Sequence, residues 1–108
     1  MITERKLICL AMVYSKELKR SMVKSFKVYF GVDLCDKDRI YEHVFKRKIM
    51  IACLMDKGLS DLTIGRITER SHSTIYYHRD ILKYERAINL DNINEEIKQF
   101  KEYLWKQS

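Results

Sequence analysis

The 108-residue chain contains no proline, only three glycines and three cysteines, and no long apolar run. Because proline is absent and glycine is scarce, little interrupts helices, and the composition favours an all-α protein. The cysteines form no Cys-x-x-Cys pair and have no histidine at ligand spacing, so we expect neither a disulfide framework nor a metal site. Unpaired thiols suit the cytoplasm. The apolar segment at residues 7–14 is too short to cross a bilayer and lacks a cleavage site, so we expect neither a membrane span nor secretion. We expect no membrane partner, because the apolar stripe of residues 16–30 resembles core; a basic membrane-surface helix over those residues is the alternative.

Positive charge is in excess. The chain carries 21 Lys and Arg against 15 Asp and Glu, a net charge of +6, and 46% of its residues are apolar. This length and composition predict a single folded domain over residues 1–108. The surplus attracts polyanions, meaning nucleic acid or acidic membrane surfaces. There is no glycine-rich phosphate loop, so we expect no nucleotide and no other cofactor.

Capping residues divide the first half of the chain into two helices. The first is predicted to start at an N-cap, Thr3, and to end at Gly31 in a left-handed cap, although the spacing leaves open a break near Ser15. Its apolar stripe comprises Leu18, Met22, Phe26 and Tyr29. The second helix is predicted over residues 39–57, with Asp36 or Asp38 as its cap and Gly58 after its end. It is apolar almost all round from Ile49 to Met55, which is typical of a central helix.

Residues 60–86 carry the pattern of a helix-turn-helix. Ser60 and Ser71 are predicted N-caps of a short and a longer helix, and Gly65 is the point where their backbones approach. The apolar positions predicted to lock the pair are Leu62, Ile64, Ile67, Ile75 and Leu82. A last helix is predicted over about residues 92–106, with Asn92 and Glu95 resembling a capping box. Its apolar stripe comprises Ile93, Ile97, Phe100 and Leu104, and Trp105 lies off that stripe as a candidate dimer contact.

In a helix-turn-helix the second helix presents its N-terminal turn to the major groove. Here that turn consists of Ser71, His72, Ser73 and Thr74. One cap needs only one of these side chains, and all four can exchange hydrogen bonds with base edges. Arg66 and Arg70 flank the turn, where they can neutralise phosphates, and the hydroxyl of Tyr77 can reach a phosphate or pack at the rim. The alternative is that Ser71 is simply a cap and its neighbours are solvated.

The segment Ile64-Gly65-Arg66, followed by the run from Arg70 to Ile75, resembles the C-terminal DNA-binding domain of the bacterial replication initiator DnaA. Phe30-Gly31-Val32 and Lys46-Arg47-Lys48 extend the resemblance over about residues 22–86. It implies a Trp-repressor-like domain of five to six helices that binds specific double-stranded DNA in replication or transcription control, for example in a phage or mobile element. At Ser71 the family has aspartate, which accepts from a cytosine amine.

The resemblance also assigns roles to individual residues. It implies that Arg70, His72, Ser73 and Thr74 lie at the major groove. It further implies that a basic residue of the 39–48 region reaches the adjacent minor groove and the phosphates, and the candidates there include Lys46, Arg47 and Lys48.

Two other functions remain open as alternatives. The first is a helical protein-interaction module that retains the fold without reading DNA, with a partner or second copy on its N- or C-terminal helix; Glu69 and Asp80 near the turn favour it. The second is an enzyme, which would need Ser71 or Ser73 with a histidine and Asp80. These residues point in several directions with no oxyanion-hole motif, so we expect no catalytic site. His78 is predicted to be a packed, hydrogen-bonded core histidine.

Overall fold

A computed structural model describes residues 14–106, which form five α-helices and one 3₁₀ turn, with no β-strand among them. The helices are α1 (Lys16–Phe30), α2 (Tyr41–Asp56), α3 (Asp61–Thr68), α4 (His72–Ala87) and α5 (Ile93–Lys106), and the 3₁₀ turn is Leu90–Asn92. The predicted all-α class with five to six helices is therefore confirmed. The predicted cap at Thr3 lies outside the described residues. No helix within residues 14–106 is both long and apolar enough to span a membrane.

The first helix begins at the break that the sequence left open. The hydroxyl of Ser15 accepts a hydrogen bond from the backbone N–H of Leu18 at 3.0 Å and so caps α1. Gly31 ends the helix with a left-handed φ of 72°, as predicted, and its N–H donates to the carbonyl of Lys27 at 2.8 Å. The apolar stripe is fully buried at Leu18, Met22 and Phe26. Tyr29 lies at the edge of the core and is partly exposed.

The second helix is the central one, and it contacts α3, α4 and α5. Every residue from Ile49 to Leu54 is buried, which confirms the predicted central position. Its predicted start is wrong by two residues, and neither Asp36 nor Asp38 caps it. Both carboxylates instead accept from backbone N–H groups inside the preceding loop, those of Asp38 and Ile40, at 3.1 Å each. Gly58 follows the helix with a left-handed φ of 96°, as predicted.

The third and fourth helices are joined by only three residues, 69–71. Ser60 and Ser71 cap them as predicted, because each hydroxyl accepts from the N–H three residues later at 3.2 Å. The four isoleucine and leucine residues predicted at the contact are buried: Ile64, Ile67, Ile75 and Leu82. The prediction for Leu62 is wrong, since 53% of its surface is exposed. Thr63 and Thr68 take part of the buried face of this short helix instead.

Gly65 is the point of close approach, as predicted. A Cβ atom at this position would lie 2.5 Å from the carbonyl oxygen of Arg70, well inside van der Waals contact. The chain can turn back within three residues because Glu69 adopts the left-handed conformation, with φ 56° and ψ 45°. Together these two backbone features hold the N-terminus of α4 directly against α3.

The last helix closes the core from the side of α1 and α2. Its predicted stripe is buried at Ile93, Ile97, Phe100 and Leu104. The predicted capping box is absent, because Asn92 has a left-handed φ of 61° and the carboxamide of Asn89 accepts from the N–H of Asn94 at 3.0 Å instead.

The ring of Phe100 packs against Phe26 at a centroid distance of 6.3 Å. Trp105 is half-buried against the core, with the ammonium of Lys57 5.3 Å from its ring centroid.

Candidate nucleic-acid interface

The N-terminal turn of α4 packs its backbone against α3 and leaves its side chains exposed. Its four polar residues are all exposed: Ser71, His72, Ser73 and Thr74. The hydroxyl of Ser71 is occupied as the cap and lies 2.9 Å from the hydroxyl of Thr74. His72 and Ser73 make no side-chain hydrogen bond to any other described residue. The turn therefore combines an internally satisfied cap with two polar side chains that are available to a ligand.

A cleft of about 640 Å³ runs beside this turn, between α4, the loop at residues 31–40 and α2. We call it the α4 cleft. From α4 and its cap it is lined by Ser71, Thr74, Tyr77 and His78, and from the other two elements by residues that include Lys37, Arg39 and Lys48. Asp38 and Glu69 also reach it, so cations outnumber carboxylates on its walls. The α4 cleft is thus a positively charged groove that opens next to a helix N-terminus, where free N–H groups favour an anion.

Arg47 lines the α4 cleft with a guanidinium that is held by the neighbouring loop, and its contact with DNA stays a prediction. Only 3% of its surface is exposed. Its Nη2 donates to the Asp38 carboxylate at 2.7 Å, and its Nε and Nη1 donate to the carbonyls of Asp33 and Asp38 at 3.1 and 3.3 Å. The hydrogen bond from Arg47 is the main reason that the pKa of Asp38 is lowered to about 2. Arg47 therefore organises the loop that forms one wall of the α4 cleft.

The two lysines beside Arg47 have different surroundings. The ammonium of Lys48 lies in the α4 cleft but pairs with Glu85 at 3.0 Å, and its side chain is mostly buried. Lys46 is half-buried and does not line the cleft. The basic run thus contributes two cations to the cleft wall, Arg47 and Lys48, and both are paired with carboxylates.

The guanidinium of Arg70 lies beside the turn but is committed to the protein backbone. Its Nη1 donates to the carbonyls of Leu34 and Thr68 at 3.1 and 2.6 Å, and its Nη2 donates to that of Asp36 at 2.7 Å. These charge-assisted bonds tie the loop to the connection between α3 and α4. Arg66 is placed elsewhere: it is exposed, does not line the α4 cleft, and has its guanidinium 5.6 Å from the ring centroid of Tyr14.

Lys37 was not predicted as a site residue, and Arg39 was predicted only as part of the basic region at residues 39–48. Both line the α4 cleft, and the ammonium of Lys37 donates to the carbonyl of Glu69. Aspartates position them, because Asp33 accepts from the N–H of Cys35 at 2.9 Å in the first of three successive turns of this kind. The spacing of these aspartates could have indicated the ordered loop in the sequence, because each carboxylate accepts a hydrogen bond from the N–H two residues later.

The aromatic residues of α4 divide between the cleft and solvent. Tyr77 is exposed and lines the α4 cleft, whereas Tyr76 is exposed outside it. His78 is packed at the cleft wall as predicted, but its Nδ1 has no hydrogen-bond partner among the described residues. Burial, together with the charges of Lys48 and Arg70, lowers the pKa of His78 below its usual value. These surroundings therefore favour the neutral imidazole.

No cluster of three or more histidine, cysteine or acidic side chains within residues 14–106 is arranged to hold a metal ion. Cys35 and Cys53 are both free thiols, and burial raises the pKa of Cys53 to about 12. No protein-family model, curated protein or solved structure matches this chain.

Proposed function

We propose that the chain binds double-stranded DNA, with α3 and α4 acting as a helix-turn-helix and α4 as the recognition helix. The observation that carries this proposal is the exposed N-terminal turn of α4, which presents two unengaged polar side chains beside a positively charged cleft. A major groove admits an α-helix and exposes a distinct pattern of donors and acceptors for each base pair. Both halves of DNA recognition, base edges and phosphates, thus have a counterpart on one face of the protein.

Within this proposal each residue has a role. His72 and Ser73 reach base edges, and Thr74 offers its methyl group to a thymine. Phosphates lie against the first N–H groups of α4, the hydroxyl of Tyr77 and the cations of the cleft. Arg70 acts indirectly, because its bonds to three carbonyls hold the loop against the turn.

The resemblance to the DnaA DNA-binding domain supports a sequence-specific role in replication or transcription control, as in a phage or mobile element. Serine and aspartate are both good N-caps, so Ser71 preserves the helix start while removing a carboxylate from the turn. We therefore expect a site that differs from the family's at the base pair which that carboxylate reads. The free thiols, Cys35 and Cys53, suit a cytoplasmic location.

A protein-interaction module is the second candidate. The feature that favours it is a set of exposed apolar side chains along the outer side of α4: Tyr77, Tyr84 and Ile88 are 62%, 66% and 52% exposed and recur at helical spacing. Such a module would bind a partner without salt-sensitive affinity for DNA.

The test is base preference. A duplex is selected from a random pool with the natural protein, and each base pair of that duplex is then varied for the natural protein and for His72→Ala. We expect His72→Ala to lose discrimination at one position, by about 1–3 kcal/mol, and to keep it elsewhere. Gln99→Ala, an exposed polar substitution on α5, is the control and should change nothing. An unaltered preference in His72→Ala would contradict the assigned base contact.

A further inference from the structure

A second basic surface lies on α1, outside the α4 cleft. Four of its cations recur at helical spacing along one face and are all exposed: Lys16, Arg20, Lys24 and Lys27. We call them the α1 stripe. With a rise of 1.5 Å per residue they cover about 16 Å of helix. The helix as a whole contains five cations and one acidic residue, Glu17.

The cations of the α1 stripe are not ion-paired with carboxylates of the described fold. Elsewhere, six Lys and Arg side chains of the described structure form ion pairs with carboxylates: Lys19, Arg47, Lys48, Arg79, Arg86 and Lys101. None of the four stripe cations makes an ion pair within residues 14–106. The stripe therefore places four unpaired cations in a row on one helix face.

The stripe is next to the proposed recognition helix. The ammonium of Lys19, on the same helix, pairs with the carboxylate of Glu69 at 2.7 Å, and Glu69 stands two residues before the cap of α4. A depression of about 640 Å³ separates the two regions, with stripe cations on one side and Asp33 and Glu69 on the other. Glu69 borders both this depression and the α4 cleft, so the two basic regions are neighbours.

The opposite face of α1 decides which polyanion fits. Leu18, Met22 and Phe26 are fully buried in the core, so α1 cannot insert an apolar face into a lipid surface without leaving the fold. The α1 stripe is a row of flexible cations without a helix end or strand that could enter a DNA groove. Such a row suits a ligand with regularly repeated negative charges and does not depend on a particular ligand shape. The backbone of duplex DNA is such a ligand, with one charge per about 1.7 Å of its axis.

We propose that the α1 stripe is a second phosphate-binding surface, which contacts the backbone of the same duplex outside the footprint of α4. This inference rests on the proposed DNA-binding function. In this proposal the stripe increases the affinity for DNA and its salt dependence but contributes nothing to the base preference.

The test compares two triple variants with equal loss of charge. The stripe variant is Arg20→Gln, Lys24→Gln and Lys27→Gln, and the control is Lys83→Gln, Lys98→Gln and Lys106→Gln on α4 and α5. Fluorescence anisotropy gives the affinity of each for the selected duplex across a salt series. Three lost phosphate contacts should lower the slope of log K against log salt by about 2.7 and weaken binding at least tenfold near 0.1 M salt. The control should change the slope by less than one, and both triples should retain the preference that depends on His72.

The outcomes separate the two proposals. If the natural protein binds no duplex even at low salt, DNA binding and the stripe both fail. If it binds and the stripe variant matches the control, only the stripe is refuted. Binding of vesicles containing anionic phosphatidylserine that the stripe variant loses, with DNA affinity unchanged, would also overturn the assignment and make the stripe a membrane contact. We expect both triple variants to fold, because every substituted side chain is exposed, and urea unfolding checks this.

Discussion

Replacing Gly65 with alanine tests whether α3 and α4 are held as closely as the structure places them. The new Cβ would stand 2.5 Å from the carbonyl oxygen of Arg70 and 3.5 Å from the backbone nitrogen of His72. Carbon and carbonyl oxygen ordinarily approach no closer than about 3.3–3.6 Å, so the start of α4 must retreat by about 1 Å. The obstacle is backbone, which cannot rotate away as a side chain does.

The expected cost is the difference between two effects. Overpacking of this kind lowers the free energy of unfolding by up to about 3 kcal/mol, and the higher helix propensity of alanine raises it by about 1 kcal/mol. The net loss of stability is therefore about 2 kcal/mol. For a domain of this size that loss lowers the melting temperature by about 8–16 °C. Because the retreat displaces His72 and Ser73, Gly65→Ala should also weaken DNA binding at temperatures where it remains folded.

Gly31→Ala is the matched control. A Cβ at Gly31 meets nothing within 4 Å, and only its φ of 72° is unfavourable, so the substitution should cost about 1 kcal/mol and leave DNA affinity unchanged. Urea unfolding and anisotropy titration of both variants give the two readouts. A Gly65→Ala protein that is as stable as the natural one would refute the close approach, and with it the placement of α4.

Two further predictions concern the walls of the α4 cleft. Arg70→Lys should lower the free energy of unfolding, measured with urea, by about 2 kcal/mol, because a single ammonium cannot replace a guanidinium that donates to three carbonyls. An unchanged unfolding midpoint would mean that those bonds do not hold the loop. His78 should make stability depend on pH: its folded pKa is lowered, so the unfolded chain binds the extra proton and stability falls as the pH drops below the ordinary value of 6.5. His78→Gln should remove that dependence between pH 7 and 5, and a persisting slope would assign it to another group.

The capping and stop signals could be predicted because they are local. At a helix start, the hydroxyl of an extended serine reaches the N–H three residues later, so Ser60 and Ser71 cap their helices, and Gly31 ends α1 for an equally local reason. The start of α2 was predicted wrongly because Asp36 or Asp38 was expected to cap the helix in the same local way. Asp38 has the chemistry of a cap, but its carboxylate is taken by Arg47 and by the N–H of Ile40, and nothing in the local sequence indicates that competition.

The candidate site was predicted less completely than the fold, because the fate of a cation depends on tertiary position. Arg47 and Lys48 belong to one basic run, yet the first is buried in the loop and the second pairs with Glu85. Arg70 is predicted to face DNA and does line the α4 cleft, but nothing in the sequence indicates that its guanidinium also donates to three carbonyls of the fold. Charge counts predict that a basic surface exists, but only the packing of the loop on α4 determines which cations remain exposed.

Whether the natural protein binds DNA at all is decided by its affinity for duplex DNA across a salt series. Fluorescence anisotropy with labelled random duplexes and duplexes bearing the DnaA box gives both the salt slope and any preference. We predict a steep loss of affinity with rising salt, together with preference for some sequences over others. Absence of binding at low salt would contradict it and leave the protein-interaction module as the better description.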